Sequence, residues 1–164
     1  MSARLTCAAT FVVAVGAASA AWAQESVSIA LPTTVTFSVS DVSSATLADL
    51  DPVTVQFSGA VLHPGRVLRI SVIADSATLA GPGGSTIPVS AVSWTVSGAA
   101  GGSGTSGSLS SSSSYSRVFQ STQVAVAGAF DMSFTLAAVP GTLRAGNHAV
   151  RLRWKLESTQ KNSP

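Results

Sequence analysis

Residues able to move a proton or attack a carbonyl are scarce in this sequence. Its two histidines are His63 and His148, and catalysis needs a poised acid–base or nucleophilic group. His63 precedes Pro64-Gly65 and reads as a turn residue, while His148 follows Asn147 at the opening of a strand. Serines are abundant, but none lies in a Gly-x-Ser-x-Gly elbow. Asp49 and Asp51 flank a turn and read as its caps. No His/Asp/Glu cluster has metal-ligand spacing, and no glycine loop is patterned to cradle a phosphate. The expectation is a protein without catalytic residues, metal or cofactor.

Cationic chemistry is better represented. In "GNHAVRLRWKLES", residues 146–158, Val150, Leu152, Trp154 and Leu156 alternate with Arg151, Arg153, Lys155 and Glu157. Successive side chains of a strand point to opposite faces, so this segment has one apolar and one mostly basic face. Charges two residues apart recur every ~7 Å along such a strand, a spacing able to track a repeating anionic polymer. Arg151, Arg153, Lys155 and, in the same strand, Trp154 are therefore the candidate binding residues, and the partner is an anionic cell-wall polymer or peptidoglycan. The competing reading is a row of like charges that keeps a sheet edge from aggregating. Nucleic acid is not expected as a partner, because basic residues are few and no aromatic stacking platform is visible.

The elements that would position these residues are strands. Apolar residues recur with period two, and no useful length holds a helical period. Candidate strands are 27–31, 34–39, 53–57, 67–73, 87–89, 92–96, 117–126, 130–136 and 148–157. Their inward sets include Val35/Phe37/Val39, Leu68/Ile70/Val72, Val92/Trp94/Val96, Val124/Val126 and Met132/Phe134/Leu136. Turn chemistry at Asp51-Pro52, His63-Pro64-Gly65, Gly81-Pro82-Gly83-Gly84 and Pro140-Gly141 separates them. The pattern predicts an all-β fold, an antiparallel immunoglobulin-like β-sandwich. Asp41–Asp51 reads as a helical turn or a connection. Residues 97–116 hold ten serines and five glycines in twenty, and read as a flexible Gly/Ser-rich loop that buries almost nothing.

The first 23 residues read as a secretory signal peptide. Arg4 begins a positive region, Leu5–Gly16 is apolar, and Ala21-Trp22-Ala23 offers a cleavage site before Gln24, with a cut after Ala20 as the alternative. The apolar run is too short to span a membrane, and no later segment is long and apolar enough. Cys7, the single cysteine, lies at the start of that run rather than after it, against a lipid anchor. Residues 24–164 are then one exported domain, secreted or held at the cell surface, with no disulfide. Charged residues are only 10% and hydrophobic residues 46%, which suits stacked short strands. Residues 24–65 carry Glu25, Asp41, Asp49 and Asp51 and no cation, whereas the C-terminal stretch is basic. The two ends either neighbour one another in the fold or present a basic end to an acidic partner.

Over residues 145–159, "AGNHAVRLRWKLEST", the chain resembles the C-terminal motif of the WxL family of bacterial surface domains, with Trp154-Lys155-Leu156 as the Trp-x-Leu triplet. "LRISVIADSATLAG" and "FDMSFTLAAVPGTLRAGNH" are similar to the preceding strands of such domains. Trp94-Thr95-Val96 is the nearest counterpart of their second motif, with Val in place of Leu. The resemblance implies a secreted domain that associates noncovalently with the cell wall. A rival expectation from another class is a self-assembling pilus- or coat-type subunit, whose N-terminal "ESVSIALPTTVTFSVS" adds as a strand to a neighbour's open edge.

Overall fold

The computed structural model describes residues 24–84, 86–111, 114–122 and 125–161. The expected signal peptide, residues 1–23 with Cys7, lies outside the described residues. The fold is all-β, built as two antiparallel sheets. The strands are β1 (Ser26–Ile29), β2 (Thr34–Val39), β3 (Thr46–Leu47), β4 (Val53–Val61), β5 (Arg66–Ala74), β6 (Val92–Ala100), β7 (Gly102–Gly104), β8 (Gly107–Ser108), β9 (Ser116–Ser121), β10 (Gly128–Leu136) and β11 (Gly146–Gln160). One sheet runs β1-β4-β10-β6-β8, with β3 beside the end of β10; the other runs β2-β11-β5-β9-β7. A 3-10 turn, Val89–Ala91, leads into β6.

Period-two alternation becomes the core directly. Val35, Phe37 and Val39 of β2 are buried between exposed neighbours. Phe130, Met132, Phe134 and Leu136 of β10 face Val55, Phe57, Val92 and Trp94 of the strands beside them across one continuous inner surface. Phe119 of β9 crosses the gap to stack on Phe130, with ring centroids 4.8 Å apart and planes 10° from parallel, and Phe57 packs against it at 5.6 Å. Offset stacked and tilted pairs of this kind add about 0.5–1.5 kcal/mol each beyond their area. They fasten the two sheets at mid-height.

Several sequence expectations need correction. Residues 97–116 are not an excursion that buries nothing. β6 runs on to Ala100, β7 crosses to the other sheet to pair with β9, and β8 returns to pair with β6. The segment is thus a strap joining the two sheets along one side. Leu109 is only 2% exposed and belongs to the core, anchored by its amide to the Val92 carbonyl at 2.9 Å. Glycine is what lets the strap lie so close. A Cβ at Gly107 would stand 2.8 Å from Trp94 Cζ2, too near for any other residue without a shift. Backbone ladders need no large side chains, so a composition typical of linkers can still pair as strand.

Downstream, the strand expected over 117–126 ends at Ser121, and Val126 is 66% exposed rather than inward; Val124 lies outside the described residues. In place of a strand at 87–89, Pro88 forms one bridge to Thr78 before the 3-10 turn. Within 41–51, Asp41 accepts from the Ser43 amide and from the Ser43 and Ser44 hydroxyls, and Thr46–Leu47 then pairs with β10. No helix among the described residues is long and apolar enough to cross a membrane.

Candidate binding groove

β11 is the strand that places the candidate cations. Its first half, Gly146–Arg151, pairs with β2, and its second half, Leu152–Gln160, pairs with β5 on the opposite side. Alternation holds along its length: His148, Val150 and Leu152 are buried, whereas Arg151, Arg153 and Lys155 are exposed on the outer face. The structure therefore brings the three cations to one face, but their surroundings differ. Arg153 Nε lies 3.1 Å from Asp75 Oδ1, and Lys155 Nζ lies 2.7 Å from Glu157 Oε1. The Lys155 ammonium also stands 5.9 Å from the centroid of the Tyr115 ring, within cation–π range. Arg151 makes no ion pair among the described residues.

Trp154 does not join them. It faces the inner side of the sheet, half-buried, and its indole Nε1 donates to the Pro32 carbonyl at 2.6 Å. It packs the mouth of the sandwich where the chain passes from β1 to β2. Trp94, the other tryptophan singled out in the sequence, is buried too, and its Nε1 donates to Thr105 of the strap at 2.9 Å.

A groove of about 860 Å³ opens beside Lys155, and two cations that sequence patterning did not single out join it there. Arg69 comes from β5, directly opposite Glu157, and Arg117 from β9, opposite Ser71. Tyr115, Trp94 and the strap residues Thr105–Ser108 also line it. Arg117 Nη1 donates to Gln120 Oε1 at 3.2 Å. Three cations thus meet one carboxylate, that of Glu157. The signal for Arg69 and Arg117 was weak, because neither belongs to a row of alternating cations and only strand pairing makes them neighbours.

The histidines sit elsewhere. His148, fully buried, donates from Nε2 to the Arg144 carbonyl at 2.8 Å. The His63 amide donates to Glu25 Oε1 at 2.8 Å, and the Ser158 hydroxyl donates to the same oxygen at 2.9 Å. Burial alone would push the Glu25 carboxyl up, but these two donors, with His63 and Arg66 close by, hold it below its ordinary value of 4.5. Among the described residues, no group of three or more His, Cys, Asp or Glu side chains is placed to hold a metal ion. No known family, curated protein or solved structure matches this chain.

Proposed function

We propose that this chain is an exported, non-enzymatic surface protein, an immunoglobulin-like sandwich whose outer groove holds an anionic polymer of the bacterial cell wall. The observation that carries the reading is the convergence of Arg69, Arg117 and Lys155 on one polar groove with Glu157 as its one carboxylate. Guanidinium groups present paired donors that match carboxylate and phosphate oxygens, so the groove suits a glycan bearing either group. Tyr115 offers an amphipathic ring beside them. The His148 ring is held by the Arg144 carbonyl and the His63 ring lies 3.9 Å from the Glu25 carboxylate, both away from the groove, and this supports a binding role over a catalytic one. The resemblance of Trp154-Lys155-Leu156 to a Trp-x-Leu strand fits the same reading.

A pull-down with purified cell walls tests it. Arg69→Gln together with Arg117→Gln should leave unfolding nearly unchanged and weaken wall binding about tenfold or more, since each charge-assisted hydrogen bond contributes about 1.5–3 kcal/mol. Wild-type binding should also fall as salt rises through physiological strength, where the Debye length is ~8 Å. Equal binding by the folded double variant would overturn the assignment.

A further inference from the structure

The start of the N-terminal segment expected to add to a neighbour's edge is already in use, because β1 pairs antiparallel with the chain's own β4. A different edge is open. β2 accompanies β11 only as far as Arg151, with one further bond from the Leu152 amide to the Thr33 carbonyl at 2.9 Å. At Pro32 the chain leaves for β1 in the other sheet. From Arg153 to Gln160, β11 therefore has β5 on one side and, among the described residues, no strand hydrogen-bonded to its backbone on the other.

The direction of the backbone groups on that edge follows from the ladder. The Leu152 amide points toward β2, and the Arg151 carbonyl points toward β5, where it accepts from the Asp75 amide at 2.9 Å. Alternation along an antiparallel strand then sends the N–H and C=O groups of Trp154, Leu156 and Ser158 to the open side. The Ser158 carbonyl accepts from Arg66 Nη1 at 2.9 Å and keeps a second lone pair. Side-chain burial marks the same gap. Val150 and Leu152 are buried where β2 flanks them, whereas Trp154 and Leu156, on the same inner face, are only half-buried. The outer edge of β2 is guarded instead, by Asp49, whose amide donates to Thr36 and whose carboxylate accepts from the Ser38 amide.

We propose that this edge pairs with the same edge of a second copy, antiparallel about a two-fold axis through Leu156, joining the two five-stranded sheets into one. Charge selects both the occupant and the register. With Leu156 opposite itself, Trp154 exchanges backbone hydrogen bonds with Ser158 of the second copy, and Lys155 of each copy stands directly opposite Glu157 of the other. Side chains so opposed have Cβ atoms ~4.5–5.5 Å apart, so the Lys155–Glu157 ion pair within each chain extends into a four-charge network. Sliding by one two-residue step in one direction opposes Glu157 with Glu157; in the other it opposes Lys155 with Lys155 and sets Glu157 against Arg153, a cation already paired with Asp75. A shift by one residue would face backbone groups that already serve β5. The edge shares Lys155 and Glu157 with the groove, but the pairing does not require the groove to hold a ligand.

Sedimentation of the purified protein across the micromolar range tests the pairing. Wild type should dimerise. Lys155→Glu alone and Glu157→Lys alone should each raise the dimer dissociation constant at least tenfold, and the two together, which restore opposite charges across the axis, should return it to near the wild-type value. Cysteines at the same two positions, in a chain whose sole cysteine is Cys7, should cross-link between copies under mild oxidation, because directly opposed positions on such an edge meet disulfide geometry. A wild type that stays monomeric at high micromolar concentration would overturn the proposal and make Arg153 and Lys155 edge guards. Single reversals that dimerise normally, or a double reversal that does not recover, would overturn it as well. Arg69→Gln with Arg117→Gln should still dimerise, so loss of wall binding and loss of pairing are separable.

Discussion

Trp154 and Glu25 hold the same end of the sandwich by different physics. Trp154 offers ring area to the inner face and one donor to Pro32. Trp154→Phe keeps most of that area and loses the hydrogen bond, so urea denaturation should show a loss of about 1 kcal/mol. Trp154→Ala should cost about 3 kcal/mol, the low end for aromatic truncation because the ring is only half-buried. Glu25 works through charge. Its folded carboxyl is held below its ordinary value by the His63 amide, the Ser158 hydroxyl and nearby cations, against the opposing effect of burial. A depressed carboxyl contributes stability that is present above its unfolded pKa and is lost as pH falls through the folded one. Thermal unfolding of wild type should therefore weaken as pH drops below about 4.5, and Glu25→Gln should flatten part of that slope while Asp49, also held low, keeps the rest. Trp154 was legible as an inward residue from alternation alone. The role of Glu25 was not, because its partners lie 38 and 133 positions away.

At the scale of elements, the strap from β6 to β9 is where reading from sequence and reading from structure part most. β2, β5, β10 and β11 announce themselves, since each must bury alternate large side chains to hold a sheet face. The strap buries chiefly Leu109, and for the rest contributes backbone to two ladders. Composition measures side chains, so a segment held by amides and carbonyls looks like a linker. Glycine at 107 is there for approach to Trp94 rather than for freedom. Leu109→Ala discriminates between these descriptions. If the strap is packed as seen, guanidinium unfolding should report a loss of about 2–5 kcal/mol; a change within ~0.5 kcal/mol, as for surface positions, would mean the segment is merely tethered. The same limit explains why the groove was half legible. Lys155 lay in a visible basic row, whereas Arg69 and Arg117 became its neighbours only through the pairing of β5 with β11 and β9.

For the whole molecule, folding brings part of the acidic N-terminal portion beside the C-terminal strand. The acidic N-terminal portion meets the basic C-terminal portion where Glu25 accepts from Ser158, and Asp75 neutralises part of the basic row by pairing with Arg153. Arg69, Arg117 and Lys155 are gathered at the groove on the outer face of the five-stranded sheet. A two-fold axis perpendicular to that sheet keeps outer faces on the same side, so paired copies would present two grooves to one surface. A polymer long enough to reach both would gain a second contact at high effective concentration, whereas a short fragment would gain nothing. The expected result is that wild type prefers long wall polymer over short fragments of the same chemistry by about a hundredfold, the low end of what linked sites give. Glu157→Lys adds a cation beside the groove and opposes like charges across the axis. It should bind short fragments at least as well as wild type and lose the length preference. Isothermal titration with fragments of graded length reads both effects at once, and a length preference that survives in the monomeric variant would show that one groove alone accounts for it.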